Sequence, residues 1–311
     1  MLQHKLTYES NFSQRKQTLA NINKPSWEIT FASIGIQTKE KTMKTGQIIM
    51  MLALAGSMIL TLGTQKAGAE TLLEDLFPQY DIPLEISANL DFYDKYIWRG
   101  FRLDGDWVVQ PAVTLSAYGF EGGFWGSFQL ENEDPLAGDE VDGWIGYSTD
   151  LGFINEDLQI FSVSLGNTWY SFPRASTGLS DGAHAQEFYI GGAIDTLLSP
   201  NVTWYYDYSD EESGGADGSY LVFNGSHSFT VNETYGITLD ISQDIGLNNE
   251  AFIAGDGGWS NTVIGMTIPL TERVSVSPVL AYSVPWGDLE DASDGNQDDE
   301  FYGGVLMSFA M

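Results

Sequence analysis

Basic side chains are scarce in most of this chain, and their placement is the first hint of chemistry. After residue 70 the Lys and Arg residues are Lys95, Arg99, Arg102, Arg174 and Arg273. A few fixed cations among many carboxylates can line a charged passage that screens small solutes. The same residues can instead form an ion-pair cluster that braces the fold without any transport role. The two interpretations are compatible, and both remain open at this point.

Carboxylates dominate the same part of the chain. Of 43 acidic residues only Glu9, Glu28 and Glu40 precede Glu70, and the formal net charge of the whole chain is -30. This charge would repel a phosphate backbone, which argues against nucleic acid as a partner. The chain has no cysteine, so a disulfide framework and a thiolate metal site are both excluded.

Histidine offers little for catalysis. Only His184 and His227 follow residue 70, and Ser226 and Ser228 flank His227. A Ser-His pair could support nucleophilic catalysis. Alternation along this segment, however, puts His227 on one face with apolar residues such as Phe229, close to a short turn. We therefore expect an interfacial histidine, no catalytic residue and no enzyme.

Three acidic segments, at 131–142, 207–217 and 288–300, raise the question of a metal. Carboxylate oxygens suit calcium. The spacing nevertheless departs from the twelve-residue calcium loop, because with Gly295 at its sixth position Ala292 takes the third and Phe301 the last. These segments are expected to be solvated loops, and the sequence predicts no metal and no cofactor.

The elements that carry these residues have a period of two. From Leu84 to Tyr93 apolar residues alternate with polar ones, as in a strand with one apolar face and one polar face. The pattern recurs to the end of the chain. It predicts twelve strands, at 84–98, 108–118, 123–131, 142–150, 158–170, 186–197, 201–209, 219–230, 235–245, 259–269, 274–285 and 300–310.

The connections between these strands favour a membrane barrel over a soluble sandwich. Joints near 119–122, 198–201, 231–234 and 270–273 are short, and the joint at 150–157 is somewhat longer. Most of the others are long and polar. Short turns at one end and long loops at the other are typical of outer-membrane barrels. The fold predicted is all-β, a transmembrane antiparallel up-and-down barrel of about 12 strands.

The polar face of each strand then lines the lumen. Lys95 and Arg99 continue the polar series of the first strand. The acidic residues predicted to share the lumen or its constriction are Glu131, Asp142, Glu187, Asp207, Asp240 and Asp244. We also expect an aromatic girdle at the membrane surface, because amphipathic rings prefer the headgroup level; its predicted members are Tyr96, Trp98, Trp169, Tyr170, Trp259 and Trp286.

The amino-terminal part reads as an export signal. Met43-Lys44 precedes an apolar run at 48–62 that is shorter than the roughly 20 residues of a membrane-spanning helix. Ala67-Gly68-Ala69 follows, with the small residues of a signal-peptidase site at Ala67 and Ala69. We therefore assign 43–69 to a cleaved signal peptide, 70–83 to a periplasmic lead-in and 84–311 to the barrel. Residues 1–42 are an upstream extension or a mis-assigned start.

Three segments resemble a known family. These are Asp94-Lys-Tyr-Ile-Trp-Arg-Gly-Phe101, Gln110-Pro-Ala-Val-Thr-Leu-Ser116 and Gly122-Gly-Phe-Trp-Gly-Ser127. They resemble the opening of the TorF-type porins, in which an Arg-Gly step ends the first strand. The resemblance is closest over residues 84–130. It implies an outer-membrane barrel with a pore function, and it carries no catalytic residue and no defined substrate.

These observations predict a channel in the outer membrane of a Gram-negative bacterium for passive diffusion of small hydrophilic solutes, with a preference for cations. The alternative is a non-transporting structural or adhesive barrel that displays acidic loops. Expected partners are outer-membrane lipids and lipopolysaccharide, the barrel assembly machinery, and small solutes or ions. The last residues are Ser308-Phe309-Ala310-Met311, and Phe309 is expected to act as the terminal aromatic signal for assembly.

Overall fold

A computed structural model describes residues 84–130, 139–172, 183–209, 218–251, 255–291 and 297–310. The extension at 1–42, the signal peptide at 43–69 with Ala67 and Ala69, and the lead-in at 70–83 lie outside the described residues. Glu131, predicted to face the lumen, lies outside them as well. Those assignments stay predictions.

Twelve antiparallel strands form a closed barrel, as the alternation predicts. A further short pair of strands forms a separate two-stranded sheet. The wall strands are β1 (Glu85–Tyr93), β4 (Val108–Ala117), β5 (Phe120–Gln129), β6 (Glu140–Asp150), β7 (Phe161–Phe172), β8 (Ala183–Ile194), β9 (Asn201–Asp207), β10 (Ser219–Asn232), β11 (Ile237–Asn249), β12 (Asp256–Pro269), β13 (Val274–Gly287) and β14 (Glu300–Ala310). The separate pair is β2 (Tyr96–Trp98) and β3 (Phe101–Asp104).

Chain order is also ring order, apart from that separate pair. Each wall strand pairs with the wall strands before and after it, and β1 closes the ring by pairing with both β14 and β4. Counting round the ring from β1 through β14, β9 is the sixth strand on, so it lies on the opposite wall. Closure leaves no free sheet edge among the wall strands.

The two faces of the wall differ in chemistry. Outward positions carry exposed apolar side chains on β4 to β14, which together form a belt around the barrel. Representative members are Leu115, Phe124, Ile145, Leu165, Ile190, Trp204, Phe223, Ile245, Ile264, Leu280 and Phe301. Inward positions are largely polar; examples are Thr114, Ser164, Thr203, Asn224, Ser242, Thr267 and Ser277. Among the described residues no helix is long and apolar enough to cross a bilayer.

Some inward rings lie flat on the wall, because the neighbouring strand has glycine beneath them. A Cβ added at Gly246 of β11 would collide with the indole of Trp259 on β12. A Cβ at Gly166 of β7 would collide in the same way with the ring of Tyr189 on β8. At both places glycine is needed for close approach, and the rings become part of the inner wall.

The predicted first strand, 84–98, is too long, because the chain leaves the wall after Tyr93. Asp94 fixes this departure: its N–H donates to the Gly303 carbonyl at 3.0 Å, and its Oδ1 accepts from the Gly303 N–H at 2.8 Å. The chain then folds into β2 and β3 before it rejoins the wall at Val108. Residues 94–107, called the inward hairpin below, therefore stand where a continuous strand end was expected.

The predicted aromatic girdle is wrong for four of its six residues: Tyr96, Trp98, Tyr170 and Trp259. Tyr96, Tyr170 and Trp259 are buried inside the barrel. Trp98 packs against an interior cluster. Trp169 and Trp286 instead occupy outward positions of β7 and β13, in agreement with the prediction. Tyr96 and Trp98 belong to the inward hairpin rather than to the rim, and Tyr170 and Trp259 occupy inward positions of their strands.

Candidate functional site: a hairpin across the barrel interior

The inward hairpin turns on a two-residue loop, Arg99-Gly100, between paired residues Trp98 and Phe101. Both loop residues have positive φ, 50° for Arg99 and 85° for Gly100. Positive φ at both central positions characterises the type I′ turn that suits the twist of a two-residue hairpin. A non-glycine residue in this region is strained, so surrounding contacts must hold Arg99 in place.

The tip of the hairpin reaches the far wall. Arg99 Nη1 donates to Glu187 Oε1 at 2.8 Å, and Arg99 Nη2 donates to Glu187 Oε2 at 3.2 Å, which gives a two-pronged ion pair. Glu187 lies on β8, beside the strand opposite β1, and its side chain is fully buried. Because the hairpin starts at β1 and is anchored at β8, it crosses the interior of the barrel.

Tyrosines complete the surroundings of this ion pair. The hydroxyls of Tyr170 on β7 and Tyr220 on β10 each donate to Glu187 Oε2 at 2.7 Å. The guanidinium carbon of Arg99 lies 3.6 Å from the ring centroid of Tyr220, 4.3 Å from that of Trp98 and 5.0 Å from that of Tyr205. Cation–π attraction acts at such distances and strengthens in a desolvated site.

Arg99 stays charged in this site. Burial lowers the pKa of its guanidinium, but the Glu187 carboxylate and neighbouring tyrosines raise that pKa by more, so it lies above the ordinary value of arginine. Removing one partner of such a buried pair leaves an uncompensated charge and costs about 3–5 kcal/mol. The ion pair is therefore the strongest single attachment that the geometry indicates for the hairpin.

A second attachment holds the base of the hairpin. Lys95 Nζ lies 2.6 Å from Glu300 Oε2, and Arg102 Nη1 lies 2.6 Å from Glu300 Oε1, at the start of β14. The Lys95 side chain is 28% exposed and that of Arg102 is 51% exposed. Ion pairs that are exposed to this extent each contribute little to stability. We therefore expect them to hold the hairpin less strongly than the buried ion pair at its tip.

The side of the hairpin contacts a third part of the wall. Tyr96 Oη donates to Glu140 Oε2 of β6 at 2.8 Å, and the ring of Tyr96 packs at 5.6 Å, centroid to centroid, against Trp125 of β5. Two apolar clusters extend this packing. One contains Tyr96 and Ile97 with wall residues of both β5–β6 and β12–β14, and the other places Phe101 against wall residues of β8–β10 and β12.

Most of the predicted lumen residues lie inside the barrel. Asp142, Glu187, Asp207, Asp240 and Asp244 are all buried on inward positions. The structure brings Glu187 together with Arg99, whereas Asp240 lies near the short-turn end and accepts hydrogen bonds from Thr238 and Thr267. Lys95 and Arg99 are found on the inward hairpin and not on β1. A role for these residues in a constriction stays a prediction.

Sequence reasoning missed the tyrosines and Glu300. Tyr170, Tyr205 and Tyr220 share their faces with polar inward residues, so strand parity alone could have placed them in the interior. Gly100 was a usable signal for a turn, since glycine adopts positive φ without steric cost, whereas arginine in the preceding position gave no such signal. No pattern within the sequence indicated that Glu300, about 200 residues away, would bind both Lys95 and Arg102.

Among the described residues, the two serines that flank His227 lie on the other face of β10. The His227 ring lies edge-on to Phe229 at 4.4 Å, and Phe229 is exposed on the outer face. Ser226 is buried on the opposite face of the same strand. Within the part of the chain that the structure describes, no group of three or more His, Cys, Asp or Glu side chains is arranged to hold a metal ion.

The fold and the hairpin define a class of protein: a closed antiparallel barrel with an apolar exterior, a polar interior and a hairpin folded across that interior. Residues 79–282 match the model of a family described as "Bacterial protein of unknown function (Gcw_chp)", and the chain belongs to that family. A comparison with curated proteins found no match.

Several solved structures share the barrel architecture at low identity. A NanC porin is 10% identical, with a TM-score of 0.46 over 73% of this chain and 100% of its own. An outer membrane channel from Pseudomonas putida is 11% identical, with a TM-score of 0.42 over 73% and 95%. An anion-selective porin from Comamonas acidovorans is 13% identical, with a TM-score of 0.35 over 74% and 99%. Identities this low do not transfer a solute or a selectivity.

Proposed function

We propose that this protein is an outer-membrane channel for small hydrophilic solutes, as its resemblance to the TorF-type porins also suggests, and that it prefers cations. The observation that carries the proposal is the chemistry of the two faces of one closed wall. Apolar side chains encircle the outside, where lipid and lipopolysaccharide would contact them. Inside, the described residues include ten buried carboxylates and one buried basic residue, Arg99.

The inward hairpin makes this channel narrow. It contacts β14 through Glu300, β6 through Glu140 and β8 through Glu187, so it is attached on three sides of the ring. Solutes would pass between the hairpin and the wall, or would pass only when the hairpin moves away from the wall. Below the hairpin, toward the short-turn end, polar side chains such as Ser162, Asn201 and Thr267 line the inner wall.

The second candidate is a non-transporting structural or adhesive barrel. It is favoured by the two apolar clusters around the inward hairpin, because they give part of the interior the packing of a core. In both cases export by a cleaved signal peptide and insertion by the barrel assembly machinery are part of the proposal. Phe309 on β14, which pairs with β1 where the barrel closes, is our candidate for the assembly signal.

Conductance in a planar lipid bilayer tests the channel directly. The purified mature protein should produce discrete current steps in KCl, and proteoliposomes should swell in small sugars. A protein that shows heat-modifiable migration, the mark of a folded barrel, yet gives neither current nor swelling would favour the non-transporting barrel.

A further inference from the structure

The wall residues that contact Arg99 have the arrangement of a binding site, and the Arg99 guanidinium occupies it. We propose that Glu187, Tyr170 and Tyr220 form a recognition site for a guanidinium group, which Arg99 fills from within the chain and which a guanidinium-bearing solute can fill in its place. The proposal rests on the proposed channel function, since a solute must enter the barrel to reach the site.

The shape of the site fits a guanidinium rather than a generic cation. Glu187 receives both terminal nitrogens of Arg99, at 2.8 and 3.2 Å, which uses the planar fork that a guanidinium offers and an ammonium lacks. Residues of the barrel wall also orient the Glu187 carboxylate independently of the hairpin. Two tyrosine hydroxyls orient Glu187 Oε2, and both belong to wall strands rather than to the hairpin.

Stacking adds to this selectivity. Tyr220 lies under the guanidinium at 3.6 Å and Tyr205 at 5.0 Å, and the two rings stack on each other at 4.6 Å with an interplanar angle of 10°. Both rings come from adjacent wall strands, β9 and β10. The wall therefore supplies a carboxylate, two hydroxyls and two ring faces, all of which would remain if Arg99 were absent.

Arg99 is attached to the site by a backbone loop with positive φ, so its occupancy has a built-in strain. A tethered group competes at an effective concentration in the millimolar range for a short linker. A free guanidinium would thus bind weakly to the natural protein and more tightly once Arg99 is shortened. Displacement of Arg99 would detach the tip of the inward hairpin and widen the passage.

The test is isothermal titration of the folded mature protein in detergent with guanidinium chloride, using sodium chloride of equal ionic strength as the blank. Arg99→Ala should bind guanidinium with an affinity about tenfold or more above that of the natural protein. Adding Glu187→Gln to Arg99→Ala should abolish this binding. Adding Glu121→Gln instead should preserve it, because Glu121 is an inward carboxylate that bonds Trp144 rather than Arg99.

Heat-modifiable migration shows whether each variant is folded. If Arg99→Ala does not fold, Arg99→Gln replaces it in the same titration, since glutamine keeps a donor for Glu187. A folded variant that binds guanidinium no better than the natural protein overturns the proposal, as does equal binding after Glu187→Gln. Bilayer recordings run in parallel: current without guanidinium binding rejects this site alone, and guanidinium binding without current rejects the channel.

Discussion

Tyr220 binds both halves of one ion pair: its hydroxyl donates to Glu187 at 2.7 Å, while its ring lies 3.6 Å from the guanidinium carbon of Arg99. Two wall strands thus hold the hairpin tip together: β8 supplies the charge of Glu187, and β10 supplies the Tyr220 hydroxyl that bonds Glu187 and the ring face that contacts Arg99. These contacts hold the first loop of the barrel inside it.

Glu187→Gln should release the tip of the inward hairpin. The change leaves the Arg99 guanidinium buried without its counter-charge, at a cost of about 3–5 kcal/mol. Trypsin cleaves after arginine, and Arg99 is only 8% exposed in the folded protein. Since about 1.4 kcal/mol corresponds to a tenfold change in population, cleavage between Arg99 and Gly100 should accelerate by roughly a hundredfold to a few thousandfold, as followed by mass spectrometry of the fragments.

Glu121→Gln is the control for that experiment. It also removes one inward carboxylate, but Glu121 accepts a hydrogen bond from the indole N–H of Trp144 at 3.2 Å and lies away from the hairpin tip. Its cleavage rate after Arg99 should match that of the natural protein. Equal protection of Arg99 in the Glu187→Gln variant would mean that the ion pair does not hold the hairpin.

Gly100→Ala should loosen the hairpin through its backbone. The φ of Gly100 is +85°, and a Cβ there would lie 2.8 Å from the Cβ of Trp259. Strain of this kind costs about 1–3 kcal/mol. Hydrogen exchange of the amides at 96–104 should therefore be faster by about tenfold or more in the variant.

Gly105→Ala is the matched substitution. Gly105 lies in the same hairpin, but its nearest contact to an added Cβ is Arg102 at 3.9 Å, and its φ is not positive. Hydrogen exchange of the amides at 96–104 should be the same in the Gly105→Ala variant as in the natural protein. If both variants exchange alike, the turn geometry of Gly100 has no special importance.

The wall of this barrel could be predicted from sequence because each strand is a local pattern. Alternation of residues such as Phe161, Val163 and Leu165 with serines fixes which face is apolar. A closed ring is then the way to pair every strand while keeping that face outside. Parity also puts Asp142 and Glu187 inside, and there the structure finds them.

The inward hairpin could not be predicted in the same way. Lys95, Tyr96 and Trp98 fit the alternation of β1 and favour one long strand, although Asp94 and Ile97 break the pattern. What bends the chain is a pair of hydrogen bonds between Asp94 and Gly303, which are about 200 residues apart. The site of Arg99 likewise combines β7, β8, β9 and β10 with the first loop. Such long-range contacts leave no periodic signal in a single sequence.

Export predicts a defined mature terminus. Cleavage after Ala69 should leave Glu70 as the first residue, because the small residues Ala67 and Ala69 follow the apolar run at 48–62. Intact-mass measurement of protein from the outer-membrane fraction checks this. An Ala69→Arg variant should accumulate uncleaved, since the recognition site does not accept a bulky charged residue. A mature chain that still contains residues 48–62 would contradict the signal peptide.

Cation preference is the prediction that depends most directly on the interior. Buried carboxylates in a narrow, low-dielectric passage raise the local concentration of cations and lower that of anions. Reversal potentials under a KCl gradient should therefore have the sign of potassium selectivity. The preference should weaken at high salt, because the Debye length falls to about 3 Å at 1 M. An anion-selective current would show that the interior charges do not govern permeation.

Neutralising two inward carboxylates away from the hairpin tip tests whether the interior charges cause the cation preference. Asp240→Asn combined with Asp244→Asn removes two charges from β11, and both residues are buried inside the barrel. Glu187 is unsuitable here, because its loss would also free the hairpin. The reversal potential of the double variant should move toward zero. Glu233→Gln combined with Glu272→Gln removes the same charge from exposed positions on two short turns, where solvent and salt screen it, and should leave the reversal potential nearly unchanged. Equal shifts in the two double variants would indicate that overall charge, and not the lining of the passage, sets the preference.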